Sequence, residues 1–127
     1  MIYKYTLKKE DEFDVKVTDT ENPNDSLSKK AIKLKFYIMN NLIGEASISA
    51  IDTKNGFLYD FEVKKKYRGK GYGTKILKYI LKNYKVTDLT VTTDNDAAIH
   101  LYKKCGFKIK KKINDEINKT ENYWMVR

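Results

Sequence analysis

The chain has 127 residues, of which 41% are hydrophobic and 13% aromatic, and it carries a formal net charge of +9 at pH 7. This length and composition predict one globular domain over residues 1–127 and exclude a disordered tail. No apolar run of about 18 residues occurs, and the first residues turn charged too early for a secretory signal, so we expect neither a membrane span nor secretion.

The first half of the chain predicts antiparallel strands joined by turns. Residues 19–26 are polar, contain the only proline and predict a loop. Apolar and polar residues alternate over 31–39 and again over 42–51, which predicts a hairpin with its turn at Asn40 and Asn41. An Asn-Gly pair then predicts a turn before another strand over 57–63.

Strict alternation along that last strand would place its side chains on two faces. One face would carry Phe57, Tyr59, Phe61 and Val63, and the other Leu58, Asp60 and Glu62.

The second half of the chain predicts two helices around a strand, followed by two closing strands. Residues 86–93 predict the strand between the helices, and Asp94 or Asn95 is expected to cap the second helix. Gly106 is expected to end that helix in a left-handed conformation. The segments 107–113 and 122–127 predict the closing strands, so the whole is a mixed α/β domain. The apolar stripe of the first helix is expected at Tyr72, Ile76, Leu77, Ile80, Leu81 and Tyr84.

The chain has few residues that could bind a metal ion or form a disulfide. Cys105 is the only cysteine and His100 the only histidine. An intramolecular disulfide cannot form, which is compatible with the cytoplasm, and a zinc site of several Cys and His ligands is excluded. We therefore expect a cytoplasmic protein that holds no metal.

Positive charge is concentrated around a glycine-rich loop. Nine Lys and Arg residues and no acidic residue occur from Val63 to Thr87, and Gly69, Gly71 and Gly73 lie among them. A loop that leads from a strand into a helix N-terminus offers free backbone N–H groups and the positive end of the helix macrodipole. Glycines allow such a loop to approach a ligand closely, which predicts a phosphate-binding site. The spacing fits neither a Walker loop nor a dinucleotide fingerprint.

The residues around the three glycines make the prediction of a phosphate-binding site more specific. The segment VKKKYRGKGYGTKIL resembles the acetyl-CoA-binding motif of the GNAT N-acetyltransferase superfamily, whose core Arg/Gln-x-x-Gly-x-Gly/Ala is here Arg68, Gly71 and Gly73. Beyond the next strand, NDAAIHLYKKCGF (95–107) resembles the second motif of that superfamily. The resemblance covers residues 32–127. The matching positions of the second motif are Asn95, Ala98, Leu101, Tyr102, Gly106 and Phe107.

The resemblance implies a mixed, mostly antiparallel central sheet of about 6–7 strands flanked by helices, with acetyl-CoA as co-substrate. Backbone N–H groups of the glycine loop and the Thr74 hydroxyl would hold the diphosphate, and the pantetheine arm would pair with the edge of the strand over 57–63. The implied coenzyme-binding residues are Phe61, Glu62, Val63, Arg68, Gly69, Lys70, Gly71, Tyr72, Gly73, Thr74, Asn95 and Tyr102.

The resemblance also implies direct attack of an amine on the thioester. Tyr102 matches the tyrosine that assists the departing thiolate, and the alternative is that it only packs the helix onto the sheet. Many members carry a glutamate base where this chain has Phe57, which accepts no proton. Asp60 is the expected base, with Glu62, a water chain or the absence of a dedicated base as alternatives.

The acceptor side departs from the superfamily. Its members usually have two helices between the first and second strands, whereas this chain has only a short polar stretch there, so that helical segment is expected to be shortened or missing. An open groove suits a bulky primary amine such as a protein or peptide amine. The expected state is a monomer or a homodimer.

Two other functions stay open. A chain that binds coenzyme A without catalysis would have the same glycine loop. A basic nucleic-acid-binding module would account for the charge and the ten tyrosines, but most aromatic residues fall on apolar faces of the predicted elements, which disfavours nucleic acid as a partner.

Overall fold

The computed structural model describes residues 8–10, 13–20 and 30–127, which form one mixed sheet and two helices. The sheet has the strand order β1-β2-β3-β4-β5-β6-β8-β7, and every neighbouring pair is antiparallel except β5 and β6. The predicted α/β class with a mostly antiparallel sheet is thus confirmed, with a three-residue β1 added to seven longer strands. The strands are β1 (Lys8–Glu10), β2 (Phe13–Thr20), β3 (Ala31–Ile38), β4 (Asn41–Ser49), β5 (Gly56–Val63), β6 (Val86–Thr92), β7 (Lys108–Asp115) and β8 (Thr120–Val126). The helices are α1 (Tyr72–Asn83) and α2 (Asp96–Lys104).

Local sequence explains the ends of these elements. The β3–β4 hairpin turns at Met39 and Asn40, one residue earlier than predicted, and both have positive φ angles of 48° and 67°, as a two-residue hairpin turn of this hand requires. Asn95 caps α2 by accepting a hydrogen bond from the Ala98 N–H at 3.2 Å. Gly106 follows α2 with a φ of 99°, which confirms the predicted left-handed end.

The core lies between the sheet and the two helices. Strands β5, β6 and β7 run in the same direction and are joined through α1 and α2, so right-handed crossovers place both helices on one face of the sheet. Phe13, Phe36 and Tyr79 meet edge to face there, with ring centroids 5.4–5.8 Å apart. Tyr79 was absent from the predicted apolar stripe of α1, yet it is one of the largest fully buried side chains.

A β-bulge in β5 overturns the predicted alternation of its side chains. The register moves from Ser47 opposite Tyr59 to Glu45 opposite Glu62, so β5 contains one extra residue, and Asp60 has a φ of 51°. Leu58, which was predicted to lie opposite to the face of Phe61 and Val63, is only 1% exposed in the core. The bulge then turns Phe61 and Val63 toward the same side as Leu58, where both pack against the core.

The bulge coincides with the point where β5 and β6 separate. These strands pair at three positions, of which Leu58 opposite Leu89 is the last. Beyond it, Phe61, Glu62 and Val63 keep β4 as their neighbour on one side and have no strand on the other among the described residues. A cleft therefore opens at the C-terminal ends of the two parallel strands.

Two predictions concern the connection between β2 and β3. Asp19 and Thr20 belong to β2, so the predicted loop over 19–26 begins two residues too early. Thr20 pairs with Ala31, which leaves residues 21–30 as the whole connection between β2 and β3. The predicted shortening or loss of a helical segment falls on this connection, of which residues 21–29 lie outside the described residues. Neither of the described helices is long and apolar enough to cross a membrane.

Candidate active site

A cavity of about 640 Å³ occupies the cleft between β5, the N-terminus of α1 and the side of α2. It lies where β5 and β6 have separated, so its floor is the β5 edge and its walls are two helices. Ten of the coenzyme-binding residues predicted from the sequence line it: Phe61, Glu62, Val63, Arg68, Gly69, Gly71, Gly73, Thr74, Asn95 and Tyr102. The remaining lining residues are Tyr67, Ala97, Ala98, His100, Leu101 and Lys104.

The glycine loop presents a row of backbone donors to this cavity. Gly69 and Gly71 have φ angles of 77° and 84°, and no atom lies within 4 Å of where their Cβ atoms would be, so backbone conformation and not space requires glycine there. Gly71 precedes α1 without a side-chain cap. Within the described part of the chain, none of the backbone N–H groups from 69 to 74 donates to another backbone group. These residues fit an anionic group such as a diphosphate.

Two contacts hold the loop against the end of β5. The Arg68 side chain donates from Nε to the Val63 carbonyl oxygen at 2.8 Å. A Cβ on Gly73 would lie 3.4 Å from Leu101 Cδ2 and 3.7 Å from Val63 Cγ2, so the start of α1 lies close to both α2 and β5 at Gly73. Arg68 therefore positions the loop, in addition to lining the cavity.

The exposed edge of β5 has backbone groups directed into the cleft. The Lys64 N–H donates to the Ile43 carbonyl of β4 at 2.8 Å. Because successive residues of a strand direct their backbone groups to opposite sides, the N–H groups of Val63 and Phe61 point away from β4. They meet no partner strand in the described residues and are available to a ligand in the cavity.

Tyr102 lies in the wall of the cavity and is 6% exposed. Its ring contacts Phe61 and Phe107 edge to face, with centroids 6.2 and 6.0 Å away. Burial raises the pKa of Tyr102 to about 12, because the ionised phenolate would lose its hydration. The hydroxyl therefore stays protonated at neutral pH and can donate a hydrogen bond.

The two predicted carboxylates differ in position. Glu62 lines the cavity, and its hydrogen bond with the Lys64 ammonium at 2.8 Å, together with the charge of Lys64, lowers its pKa. A carboxylate with a lowered pKa is a weak base. Asp60 is exposed at the bulge, directly before Phe61, and it does not line the cavity. Any contact of Asp60 with a reacting amine would thus come from the solvent side of β5.

Lys70 and Tyr72, also predicted to bind the coenzyme, do not line the cavity with their side chains. Both face Tyr67, with the Tyr72 ring centroid 6.1 Å and the Lys70 ammonium 6.0 Å from its ring. Sequence reasoning missed Tyr67, His100 and Lys104. Helical spacing could have found the last two, because they follow Ala97 by three and seven residues on one side of α2. Among the described residues, no group of three His, Cys, Asp or Glu side chains is placed to hold a metal ion.

Comparisons with known proteins agree with this geometry. The model of the acetyltransferase (GNAT) family matches residues 5–107. The N-alpha-acetyltransferase RimI of Mycobacterium tuberculosis is 38% identical over 72 residues, which cover 53% of this chain and 46% of that protein, so the match spans about half of the relative's length.

Two solved structures extend the likeness. Ard1 from Thermoplasma volcanium has a TM-score of 0.65 and 25% identity, with 75% of this chain and 68% of that chain covered. Naa50 from Arabidopsis thaliana, in complex with the bisubstrate analogue CoA-Ac-MVNAL, has a TM-score of 0.61 and 25% identity, with 75% of this chain and 71% of that chain covered.

Proposed function

Since the chain belongs to the acetyltransferase (GNAT) family, we propose that it transfers an acetyl group from acetyl-CoA to a primary amine by direct attack in a ternary complex. The observation that carries this proposal is the cavity itself. Unpaired amides of the glycine loop, the free edge of β5 and the Tyr102 phenol all border one space. Acetyl-CoA has an anionic diphosphate, a pantetheine arm and a thioester. The loop amides, the edge of β5 and the phenol would bind these three parts in that order.

The coenzyme would be held mainly by backbone groups. N–H groups from Gly69 to Gly73 would bind the diphosphate, and the Thr74 hydroxyl would add a donor. The Arg68 N–H, which the sequence also suggested for this role, instead donates to the Lys65 carbonyl oxygen at 3.3 Å. Lys70 and Tyr72 enter this proposal through their backbone amides, since their side chains face Tyr67. The neighbouring lysines would raise the rate of association more than they fix the geometry.

The floor of the cavity would orient the acetyl group. Phe61 and Val63 would pair with the pantetheine arm through their backbone groups, and the side-chain amide of Asn95 would bind it from α2. Glu62, whose backbone groups face β4, would border the arm only with its side chain. The Val63 N–H would then stabilise the negative charge that develops on the acetyl oxygen as the amine attacks.

Two protons must move for the reaction to balance. The amine nitrogen forms a bond with the acetyl carbon, the carbon–sulfur bond breaks, and the nitrogen loses one proton. Tyr102 would donate a hydrogen bond to the departing thiolate, which takes up one proton from solvent water and leaves as a thiol. Asp60 would accept the proton of the amine, directly or through water, from the solvent side of the bulge.

The acceptor we propose first is the α-amine of a peptide or protein. RimI is named for transfer to α-amines, and Naa50 was solved with an analogue that joins coenzyme A to a short peptide. The face of the sheet opposite to the helices supports a bulky acceptor, because none of the described helices covers it. That face carries Tyr59, Asp88, Thr90 and Trp124, which are half-buried or exposed.

The test is acetyl transfer from acetyl-CoA to a panel of peptides with free N-termini, polyamines and aminoglycosides. We expect turnover with peptides, lost when their N-termini are blocked. Thermal stabilisation by acetyl-CoA without any turnover would favour the non-catalytic coenzyme-binding function. Salt-sensitive binding of RNA or DNA, with no stabilisation by acetyl-CoA, would favour the nucleic-acid-binding module.

A further inference from the structure

Strand β7 forms one edge of the sheet, and its outer side has no neighbouring strand among the described residues. The strand is eight residues long, and the first seven, from Lys108 to Asn114, are exposed. Successive residues of a strand direct their N–H and C=O groups to opposite sides, so about half of these groups bond to β8 and the others face solvent. A free edge of this length can accept a further strand.

This edge is strongly basic, because four of its eight residues are lysines. Lys112 forms an ion pair with Glu121 at 3.6 Å. Lys108 and Lys111 form no ion pair with any residue in the described part of the chain. The edge therefore complements an acidic segment and would repel a second copy of itself, since like charges on paired strands are destabilising.

The two lysines without an ion pair lie on the face of the sheet opposite to the helices. Met125 is fully buried in the core, so its neighbours Trp124 and Val126 point to the other face. Lys111 is the register partner of Trp124. Lys108 is the register partner of Val126, and directly paired residues project from the same face. Both lysines are thus on the side from which a bulky acceptor would approach.

The direction of β7 relates this edge to the cleft. Strands β5, β6 and β7 run in the same direction, so the C-terminal end of β7 lies at the end of the sheet where the cleft opens. A strand added antiparallel to β7 would therefore have its N-terminus toward the cleft. The order β5-β6-β8-β7 puts three inter-strand spacings between β7 and β5. At about 4.8 Å each they amount to about 14 Å, which about five extended residues can span.

We propose that β7 is a docking strand for the acceptor protein, which adds an acidic extended segment antiparallel to it. This inference rests on the proposed function, because the α-amine of the same acceptor must reach the cleft. About five residues after the N-terminus would cross the face of the sheet. The acceptor side chains at about positions 9–12 would then lie beside Lys112, Lys111 and the residues before them.

The charges along this path change sign toward the cleft. Asp115 and Glu116 follow the lysines of β7, Glu62 lines the cavity and Asp60 is exposed at the bulge. The α-amine of a protein is largely protonated at neutral pH, so it is a cation when it arrives. The path therefore matches an acceptor whose N-terminus is positive and whose later residues are acidic.

A purely protective role of the lysines predicts a different outcome. Lysines on an exposed edge strand prevent edge-to-edge pairing with another copy of the chain. The bulge between Ile109 and Lys111 acts in the same direction, because it twists the edge. If protection were their only role, removal of the lysines would increase self-association and leave the kinetics with every peptide unchanged.

The experiment is steady-state acetyl transfer to peptides of equal length with free N-termini. They carry Glu at about positions 9–12, Gln at the same positions, or the Glu residues moved to about positions 2–5. We expect the first peptide to have a KM about five- to tenfold lower than the Gln peptide at low salt, the range of two or three exposed ion pairs. Its kcat should be unchanged, because these contacts are remote from the reacting atoms. The moved Glu residues should give no gain, and higher salt should reduce the difference.

Protein variants test the charge of the edge. Lys108→Gln/Lys111→Gln should reduce the KM difference between the Glu and Gln peptides to within about twofold. Lys33→Gln/Lys54→Gln is the matched control and should keep the difference. It removes the same charge from β3 and from the turn between β4 and β5, at least three inter-strand spacings from β7.

Peptide variants test strand addition separately from charge. N-methylation of alternate backbone amides removes hydrogen-bond donors and leaves the Glu residues in place. Only every second residue of an added strand bonds to β7. One alternate set of methyl groups should therefore raise the KM to that of the Gln peptide, and the other set should be tolerated.

Several results would overturn the inference while the proposed function stands. These are an equal KM for the Glu and Gln peptides, equal effects of the two double variants, and equal effects of the two methylated sets. Binding of an RNA oligonucleotide that is lost in Lys108→Gln/Lys111→Gln, with no difference among the peptides, would assign the lysines to nucleic acid and also overturn it. If no peptide is acetylated, the proposed function and the inference both fail.

Discussion

Replacement of Tyr102 by Phe removes one hydroxyl group and keeps the ring. The edge-to-face contacts with Phe61 and Phe107 are retained, and the hydroxyl forms no hydrogen bond with another described residue. We therefore expect the midpoint of thermal unfolding to change by no more than about 3 °C. Any large loss of activity in Tyr102→Phe would then come from the chemistry and not from the fold.

The expected size of that loss follows from the pKa of the phenol. Burial raises the pKa of Tyr102 to about 12, and a free thiol has a pKa of about 8.5, so complete proton transfer to the thiolate is uphill by roughly 5 kcal/mol. The hydroxyl instead contributes a hydrogen bond to a charged sulfur, worth about 1.5–3 kcal/mol. This corresponds to a fall in kcat of about 10- to 150-fold.

The assay is single-turnover acetyl transfer together with the dissociation constant for acetyl-CoA, measured for both proteins. We expect kcat to fall in the stated range, while the dissociation constant changes by less than about threefold. Because the phenol stays protonated well above neutral pH, the ratio of wild-type to variant rates should be constant from about pH 6 to pH 10. An unchanged single-turnover rate in Tyr102→Phe would refute the role of this hydroxyl.

Three further substitutions and one titration test other parts of the structure. Gly44→Ala would place a Cβ 2.8 Å from the Glu62 carbonyl oxygen, and we expect urea unfolding to show a loss of about 2–4 kcal/mol; wild-type stability would contradict this packing. Asp60→Asn should lower kcat by about 10²-fold or more without changing acetyl-CoA affinity if Asp60 is the base. Full activity of this variant would contradict that role and leave Glu62 or water. Trp124→Phe removes the 2.8 Å hydrogen bond from Nε1 to Asp88 and should lower the free energy of chemical unfolding by about 1–3 kcal/mol. Its acetyl-CoA affinity should be unchanged, because both residues lie on the face of the sheet opposite to the helices. Since the pKa of Tyr102 is raised on folding, the unfolded state ionises first, so wild-type stability should fall more steeply than that of Tyr102→Phe between about pH 10 and pH 12; equal slopes would contradict the burial of this phenol.

The elements around the glycine loop were predictable because their causes are local. The Asn95 cap and the left-handed Gly106 each depend on a few neighbouring residues, and both have the predicted roles. The positive φ angles of Gly69 and Gly71 likewise follow from the strand–loop–helix connection in which they lie. Ten of the twelve coenzyme-binding residues predicted from the sequence motifs consequently line one cavity.

The bulge at Asp60 depended on a partner strand and was not predicted. A bulge exists only as a mismatch between two registers, and the alternating residues of β5 gave no sign of where β4 would require an extra residue. The bulge placed Leu58 on the same face as Phe61 and Val63 instead of on the opposite face, and the cleft opens next to it.

The sequence by itself therefore determined the family, the order of most elements and the glycine loop that borders the cavity, because caps, glycine conformations and motifs act over a few residues. Only the tertiary structure decided which side chains share the cavity. Tyr67 and Lys104 are far apart in the chain and border the same cavity only because separate elements pack together. Such contacts depend on strand register and helix placement, which are set by the whole core and not by any one segment.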